Sequence, residues 1–178
     1  MSEDYTQRCK EEVKKMDNQK REYMIYNNIY RKLEQLIPDL INLEAGDSRQ
    51  SVNEPYMDLH LDILSKTGRG DLRIALAHNY IQNGDVMVDP DMEIRVYPGM
   101  RQAEALTFQQ VGGVQLFERV YEEKENGLTV INLKVKKRLN TFLNQWLKNL
   151  LDQGHSLQSE DNAAIVENKQ YKLGQFKR

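Results

Sequence analysis

Apolar residues recur at every third or fourth position from Tyr23 to Leu40, and at every second position from Met57 to Val96. The first spacing is that of a helix with one buried stripe, the second that of strands with one buried face. In the helical segment the stripe is Tyr23, Tyr26, Ile29, Tyr30, Leu33, Leu36, Ile37 and Leu40, and Pro38 ends or kinks it. The helix reads over 4–43, but up to Lys20 its apolar face thins to Val13 and Met16 amid charged residues. That thinning predicts an exposed arm, residues 1–22, running into a docked helix. Glu44 to Pro55, "EAGDSRQSVNEP", reads as a polar linker with breakers.

Alternation then takes over. Met57, Leu59, Leu61 and Ile63 face one way and Asp58, His60 and Asp62 the other. After the turn "SKTGRGD", Leu72, Ile74, Leu76 and His78 share a face. "QNGD" predicts a hairpin, because Asn-Gly supplies the positive φ that tight turns need. Val86–Val88 reads as a short strand and "DPD" as a further turn. Met92, Ile94 and Val96 resume the inward alternation, followed by "AEALTF", by the longer "GGVQLFERVYEE" with its glycine bulge, and by a short strand in "LTVINLKV". "KKRLNTFLNQWLKNLLDQGH" is the clearest helix, with Leu139, Phe142, Leu143, Trp146, Leu147, Leu150 and Leu151 in one broad stripe and Gly154 at the C-cap position. Such a stripe suits the face of an antiparallel sheet. The prediction is an α+β fold: a curved antiparallel sheet of about five or six strands packed with an N-terminal helix and a C-terminal amphipathic helix. Residues 23–155 form the α+β domain and 156–178 a flexible polar tail.

Composition narrows the function classes. The chain has 178 residues, 39% hydrophobic and 29% charged, with a net charge of -2. That balance argues against a generally basic nucleic-acid binder and leaves local patches open. Cys9, the only cysteine, allows neither an internal disulfide nor a thiolate cage and suits a reducing compartment. The start "MSEDYTQRCKEEVKK" lacks the apolar core of a signal peptide, and no apolar run approaches the roughly 20 residues that span a bilayer. A cytoplasmic protein without a cofactor is expected.

The most individual stretch is His78 to Val96, "HNYIQNGDVMVDPDMEIRV", with one histidine among Asp85, Asp89, Asp91 and Glu93. It invites a divalent-metal site, but the spacing departs from the EF-hand loop, and histidines at 60, 78 and 155 are too scattered for a zinc site. Asp and Asn at turns bond their own backbone, so the scaffold explanation is preferred. No nucleophile elbow, Walker loop or dinucleotide fingerprint is present.

Lys134, Lys136, Lys137 and Arg138 cluster at the start of the last helix, where positive charge opposes the helix dipole at a cost of some tenths of a kcal/mol. An acidic partner surface or a phosphate backbone would offset it. Lys14, Lys15 and Arg21 on the arm are interleaved with Glu11, Glu12, Asp17 and Glu22, for which a solvated face is the preferred explanation; with Tyr23 beside them they complete the candidate partner-binding set.

"HNYIQNGDVMVDPDMEIRV" resembles the signature of small uncharacterised domains encoded by phages, plasmids and other bacterial mobile elements. "PDMEIRVYPGMRQAEAL", "LNTFLNQWLKNLLDQGH" and the "IYRKLEQLIPDL" helix are similar to the YqiB-like domains of unknown function, whose pattern lacks the acids at Asp85 and Asp89. The likeness covers about residues 26–155. It implies an α+β fold and a mobile-element setting, and no reaction. By analogy of setting, the expected function is a non-enzymatic inhibitor, an anti-CRISPR engaging a Cas nuclease or its guide complex. The rivals are a nucleic-acid-binding accessory protein and a metal-dependent enzyme using the acidic corner. A homodimer through the arm is a further expectation.

Overall fold

The computed structural model describes residues 2–82, 85–110 and 116–158, save for the side chains of 2–6, 9–11, 17–19, 21–22, 79–82 and 85–89. In chain order the elements are α1 (Ser2–Leu36), a 3-10 turn at Leu40–Asn42, β1 (Ser48–Ser51), β2 (Asp58–Lys66), β3 (Leu72–Gln82), β4 (Asp85–Tyr97), a second 3-10 turn at Pro98–Met100, β5 (Gln102–Ala105), β6 (Thr107–Gln110), β7 (Leu116–Arg119), β8 (Tyr121–Glu123), β9 (Thr129–Ile131) and α2 (Leu133–Asp152). Seven strands form one antiparallel sheet in the order β1-β2-β3-β4-β6-β7, with β5 also on β4, and β8 and β9 pair separately as a hairpin. The predicted α+β architecture is the observed one.

The inward alternation builds the core. Leu59, Leu61 and Ile63 of β2, Leu72, Ile74 and Leu76 of β3, and Met92, Ile94 and Val96 of β4 are all buried. They pack in one cluster with Ile29, Leu33 and Leu36 of α1 and Leu139, Leu143, Trp146, Leu147 and Leu150 of α2. Burying side chains of this size contributes roughly 1.5–3 kcal/mol each, which fixes strand register because a slip of one residue would expose the whole set. Val13 and Met16 of the arm are exposed, as expected. Four stripe positions fall outside the core: Tyr23 is exposed and Tyr26 half-buried on α1, Met57 is exposed ahead of β2, and Phe142 is at the margin, 39% exposed.

Several local expectations need correction. The linker contains an edge strand: Ser48–Ser51 pairs with Leu59–Asp62 of β2. The "DPD" turn is a bulge inside a continuous β4. Ala77 pairs with Asp91 and Asn79 with Val88, so Asp89 and Pro90 together oppose His78. Pro90 has no N–H for the ladder, and a bulge accommodates that without ending the strand. The Asn83-Gly84 turn lies outside the described residues, although Gln82 and Asp85 pair on either side of it. So do the glycines of the predicted bulge at 112–113. "AEALTF" breaks at Leu106, and "LFERVYEE" at Val120, where the chain leaves the sheet for the β8–β9 hairpin. α2 starts at Leu133 because the Asn132 side chain accepts the Val135 N–H at 3.1 Å, a helix N-cap.

α2 ends in a Schellman arrangement: Gly154 N–H on Leu151 O, His155 N–H on Leu150 O, with Gly154 at φ 82°. Ser156 and Leu157, expected in the tail, belong to the fold. Leu157 is fully buried and its N–H bonds Leu36 O at the end of α1, while the Ser156 N–H bonds Ser51 Oγ. Ser51 Oγ also lies 3.1 Å from His155 Nδ1, which ties β1 to this segment. His155 stands 5.8 Å, centroid to centroid, from His78, and His78 stands 5.5 Å from Trp146.

A polar knot locks the opposite end of the sheet. Glu104 on β5 is buried; its carboxylate accepts from Tyr97 Oη at 3.0 Å and Tyr121 Oη at 2.8 Å, and pairs with Lys136 Nζ at 2.7 Å. Lys136 also donates to Tyr121 Oη and sits over the Tyr26 and Tyr121 rings. Burial works to lower the Lys136 ammonium, but Glu104 and Tyr121 outweigh it and hold it above its ordinary range. One turn along α2, the Asn140 side chain accepts the Ala105 N–H at 3.0 Å.

Two predictions follow from these contacts. Lys136→Ala strands a buried carboxylate and should cost about 3 kcal/mol in urea unfolding, whereas Lys137→Ala, one residue away on the exposed face, should change stability by less than about 0.5 kcal/mol. Equal effects would show that the knot does not hold the fold. Second, burial pushes both His78 and His155 below their ordinary range, and the neighbouring His78 lowers His155 further, against partial support from Asp58. The folded state therefore favours the neutral rings. Its stability is fullest above the unfolded histidine value of about 6.5 and is lost as pH falls below that, through the depressed folded values. The urea midpoint should drop between pH 7.5 and 5.5, and the drop should shrink in a His78→Gln/His155→Gln variant; an unchanged slope would exclude the pair as its source.

Candidate functional site

The acidic corner resolves into scaffold where its side chains are described. His78 is buried, and its Nδ1 donates to Asp58 O at 3.1 Å across the β2–β3 ladder. Glu93 on the outer face of β4 is held by Arg73. Asp91 is half-buried, and burial, then Glu93 and Asp62, pushes its carboxyl above the usual carboxylate range. The side chains of Asp85 and Asp89 lie outside the described residues. Among the described residues, no three His, Cys, Asp or Glu side chains converge as a metal cage. Ser51 and His155 make a serine–histidine contact that sequence spacing did not suggest, but they are only 7% and 3% exposed, which shuts out a substrate.

The predicted cationic set separates in space. Lys14 and Lys15 are exposed on α1, as is Tyr23; the Arg21 side chain lies outside the described residues. Lys134, Lys137 and Arg138 line a shallow surface groove of about 520 Å³ with Thr141 and Phe142. Arg138 also pairs with Glu118 on β7, and Phe142 stands edge-on to Phe108 beneath. Lys136 points the other way, into Glu104. The helical period separates these residues: 134, 137, 138 and 141 recur at three and four on the outer side, while 136, 140, 143 and 147 face inward.

β7, the β8–β9 hairpin and the start of α2 also expose large apolar side chains: Leu116 is 41% exposed, Leu128 64%, Val130 46%, Ile131 46% and Leu133 71%. β7 is an edge of the sheet, paired only with β6 among the described residues.

A second cleft opens on the opposite face of β7, and the sequence reading missed it. Arg73, Glu93, Arg95, Thr107, Phe117, Arg119, Tyr121, Glu123 and Thr129 line about 510 Å³ between the outer face of the sheet and the β8–β9 hairpin. Its arginines occupy the outward positions of β3, β4 and β7, alternate with the apolar residues and so share one face. The available signal was the polar half of the alternation: Arg73 and Arg95 are residues of the same parity as Glu93, opposite in sense to Ile74 and Ile94.

No helix among the described residues is long and apolar enough to cross a membrane. None of the curated proteins and none of the solved structures matches the chain. A family model described as a domain of unknown function, DUF6908, matches residues 28–156, from within α1 to the segment that follows α2. That span takes in the whole sheet, the Glu104 knot and both clefts, and the chain belongs to the DUF6908 family.

Proposed function

We propose that this chain is a non-enzymatic binding protein whose contact surface is the start of α2 with the adjoining β7 edge and β8–β9 hairpin. The observation that carries the reading is the concentration of exposed large apolar side chains between Leu116 and Phe142, beside Lys134, Lys137 and Arg138. Clustered exposed apolar residues with a charged rim favour a protein partner, and the cations favour an acidic one. Lys134 and Lys137 make no ion pair among the described residues, so the cost of positive charge at the N-terminus of α2 is left for a partner to offset. The edge of β7, paired only with β6 among the described residues, offers backbone donors and acceptors for strand addition.

The narrower form of the reading is an anti-defence inhibitor, an anti-CRISPR that occupies a surface of a Cas nuclease or its guide complex. It is supported by the resemblance to domains carried by phages and plasmids. The exposed Lys14, Lys15 and Tyr23 of the arm would supply a second contact or a homodimer surface.

The test compares the full chain with a Leu128→Glu/Leu133→Glu variant as bait in a host lysate. Both residues are exposed, and an acid at position 133 suits a helix N-terminus, so the variant should keep the native melting temperature. The native chain should retain a protein or ribonucleoprotein partner in near-stoichiometric amount, and the variant should retain at least tenfold less. Equal retention by both, or capture of bare nucleic acid alone, would overturn the reading. Addition of the purified chain should then inhibit a captured nuclease in proportion to its concentration; undiminished cleavage with the complex formed would sink the inhibitor form only.

A further inference from the structure

We infer that the cleft between the outer face of the sheet and the β8–β9 hairpin binds a single phosphate ester carrying a planar group, that is, a nucleoside monophosphate or one nucleotide of a single strand. It opens on the other face of β7 from the α2 groove, shares β7 and the hairpin with the proposed contact surface, and does not depend on that reading.

The argument starts from charge. Arg73 and Arg95 are direct cross-strand partners on β3 and β4. Like charges so placed repel one another, and a sheet tolerates them only with a compensating anion nearby. Glu93 compensates Arg73 through Nε at 2.8 Å and through its second nitrogen. Arg95 is held instead by the Tyr97 side chain and faces Glu104, its cross-strand partner on β5, whose carboxylate is already engaged by Tyr97, Tyr121 and Lys136. Arg119, on β7, lies over the Phe117 ring at 5.2 Å. Among the described residues neither Arg95 nor Arg119 makes an ion pair, so both guanidinium groups keep donors for an oxyanion.

The remaining lining fits the rest of such a ligand. Thr107 Oγ1 accepts the Glu93 N–H at 3.3 Å, which leaves its hydroxyl proton free to donate into the cleft. Thr129 supplies a second hydroxyl from the hairpin. Phe117 is 51% exposed at the mouth, an apolar ring on which a base can stack alongside the Arg119 plane. The volume, about 510 Å³, falls in the range of small-ligand sites.

The acids define the charge of the ligand. Arg73, Arg95 and Arg119 face Glu93 and Glu123 in the lining, a surplus of one positive charge. That surplus suits one phosphate and disfavours a triphosphate. The wall is also pre-set: Tyr121 is fixed by Glu104 and Lys136, so the hairpin side of the cleft does not need to be ordered on binding.

The experiment titrates the full chain, at two salt concentrations, with inorganic phosphate, adenosine monophosphate and a short fluorescent single-stranded oligonucleotide. Adenosine monophosphate should bind saturably and more tightly than inorganic phosphate, and its affinity should fall at the higher salt concentration. Arg95→Gln and Arg119→Gln should each weaken it at least about fivefold without shifting the melting temperature, and Lys148→Gln, on the exposed side of α2 and outside the cleft lining, should leave it unchanged. Tighter binding of the oligonucleotide, lost in the same arginine variants, identifies a strand as the source of the phosphate. Comparable binding of the free nucleotide identifies a small molecule. No saturable binding of either probe, or binding indifferent to both arginine substitutions, overturns the inference.

Discussion

A buried carboxylate holds this molecule together at its most complicated point. Glu104 accepts from a tyrosine on β4 and another on β8, and pairs with a lysine on α2 whose ammonium also covers a ring of α1. An ionised carboxylate out of water is costly alone and tolerable only when its lone pairs are matched by donors and charge. Those requirements constrain everything nearby. β5 must end where the Ala105 N–H meets Asn140, α2 must start early enough to place Lys136 one turn before Asn140, and β8 must leave the sheet at Val120 to bring Tyr121 over. The exposed clefts on either side of β7 exist because those positions are fixed.

Much of the fold was legible because one physical rule dominates it. Where a single face is buried, spacing reports the element directly: Leu59, Leu61 and Ile63, or Leu139, Leu143 and Leu150, leave no other reading. The misses occur where that rule is silent. β1 is four residues, "SRQS", at a sheet edge; only Ser51 is buried, so no apolar alternation marks it. The Asp89-Pro90 bulge carries turn residues, yet the partner strand continues past it, and pairing across β3 overrides the local preference. Leu157 is a lone leucine in a polar stretch, and only the end of α1 explains its burial.

The candidate sites were less legible, and for a related reason. The apolar half of the strand alternation predicts the core, while the polar half predicts which charged residues meet on the outer face. Reading the first without the second hides Arg73, Arg95 and Arg119, which are distant in sequence and neighbours only after β3, β4, β6 and β7 are placed in order. The most conspicuous stretch, His78 to Val96, turned out to contribute core residues, a bulge and two members of that outer face, Glu93 and Arg95. Its backbone role and its surface role are carried by residues of opposite parity.

The lysine cluster at the start of α2 shows how far composition can mislead without geometry. Lys134, Lys136 and Lys137 look like one patch, but successive residues on a helix are about 100° apart. Lys134 and Lys137 are separated by less than one turn and share the outer side; Lys136 falls with Asn140 and Leu143 on the inner one. The electrostatics follow the same division. The inward charge meets a carboxylate in a poorly solvated place, where pairing is strong and its removal costly. The outward charges remain hydrated, contribute little to folding, and are available at low cost to a partner. Stability and recognition are thus assigned to adjacent residues of one chemical type by helical phase alone. A substitution that leaves phase intact should affect only one of them.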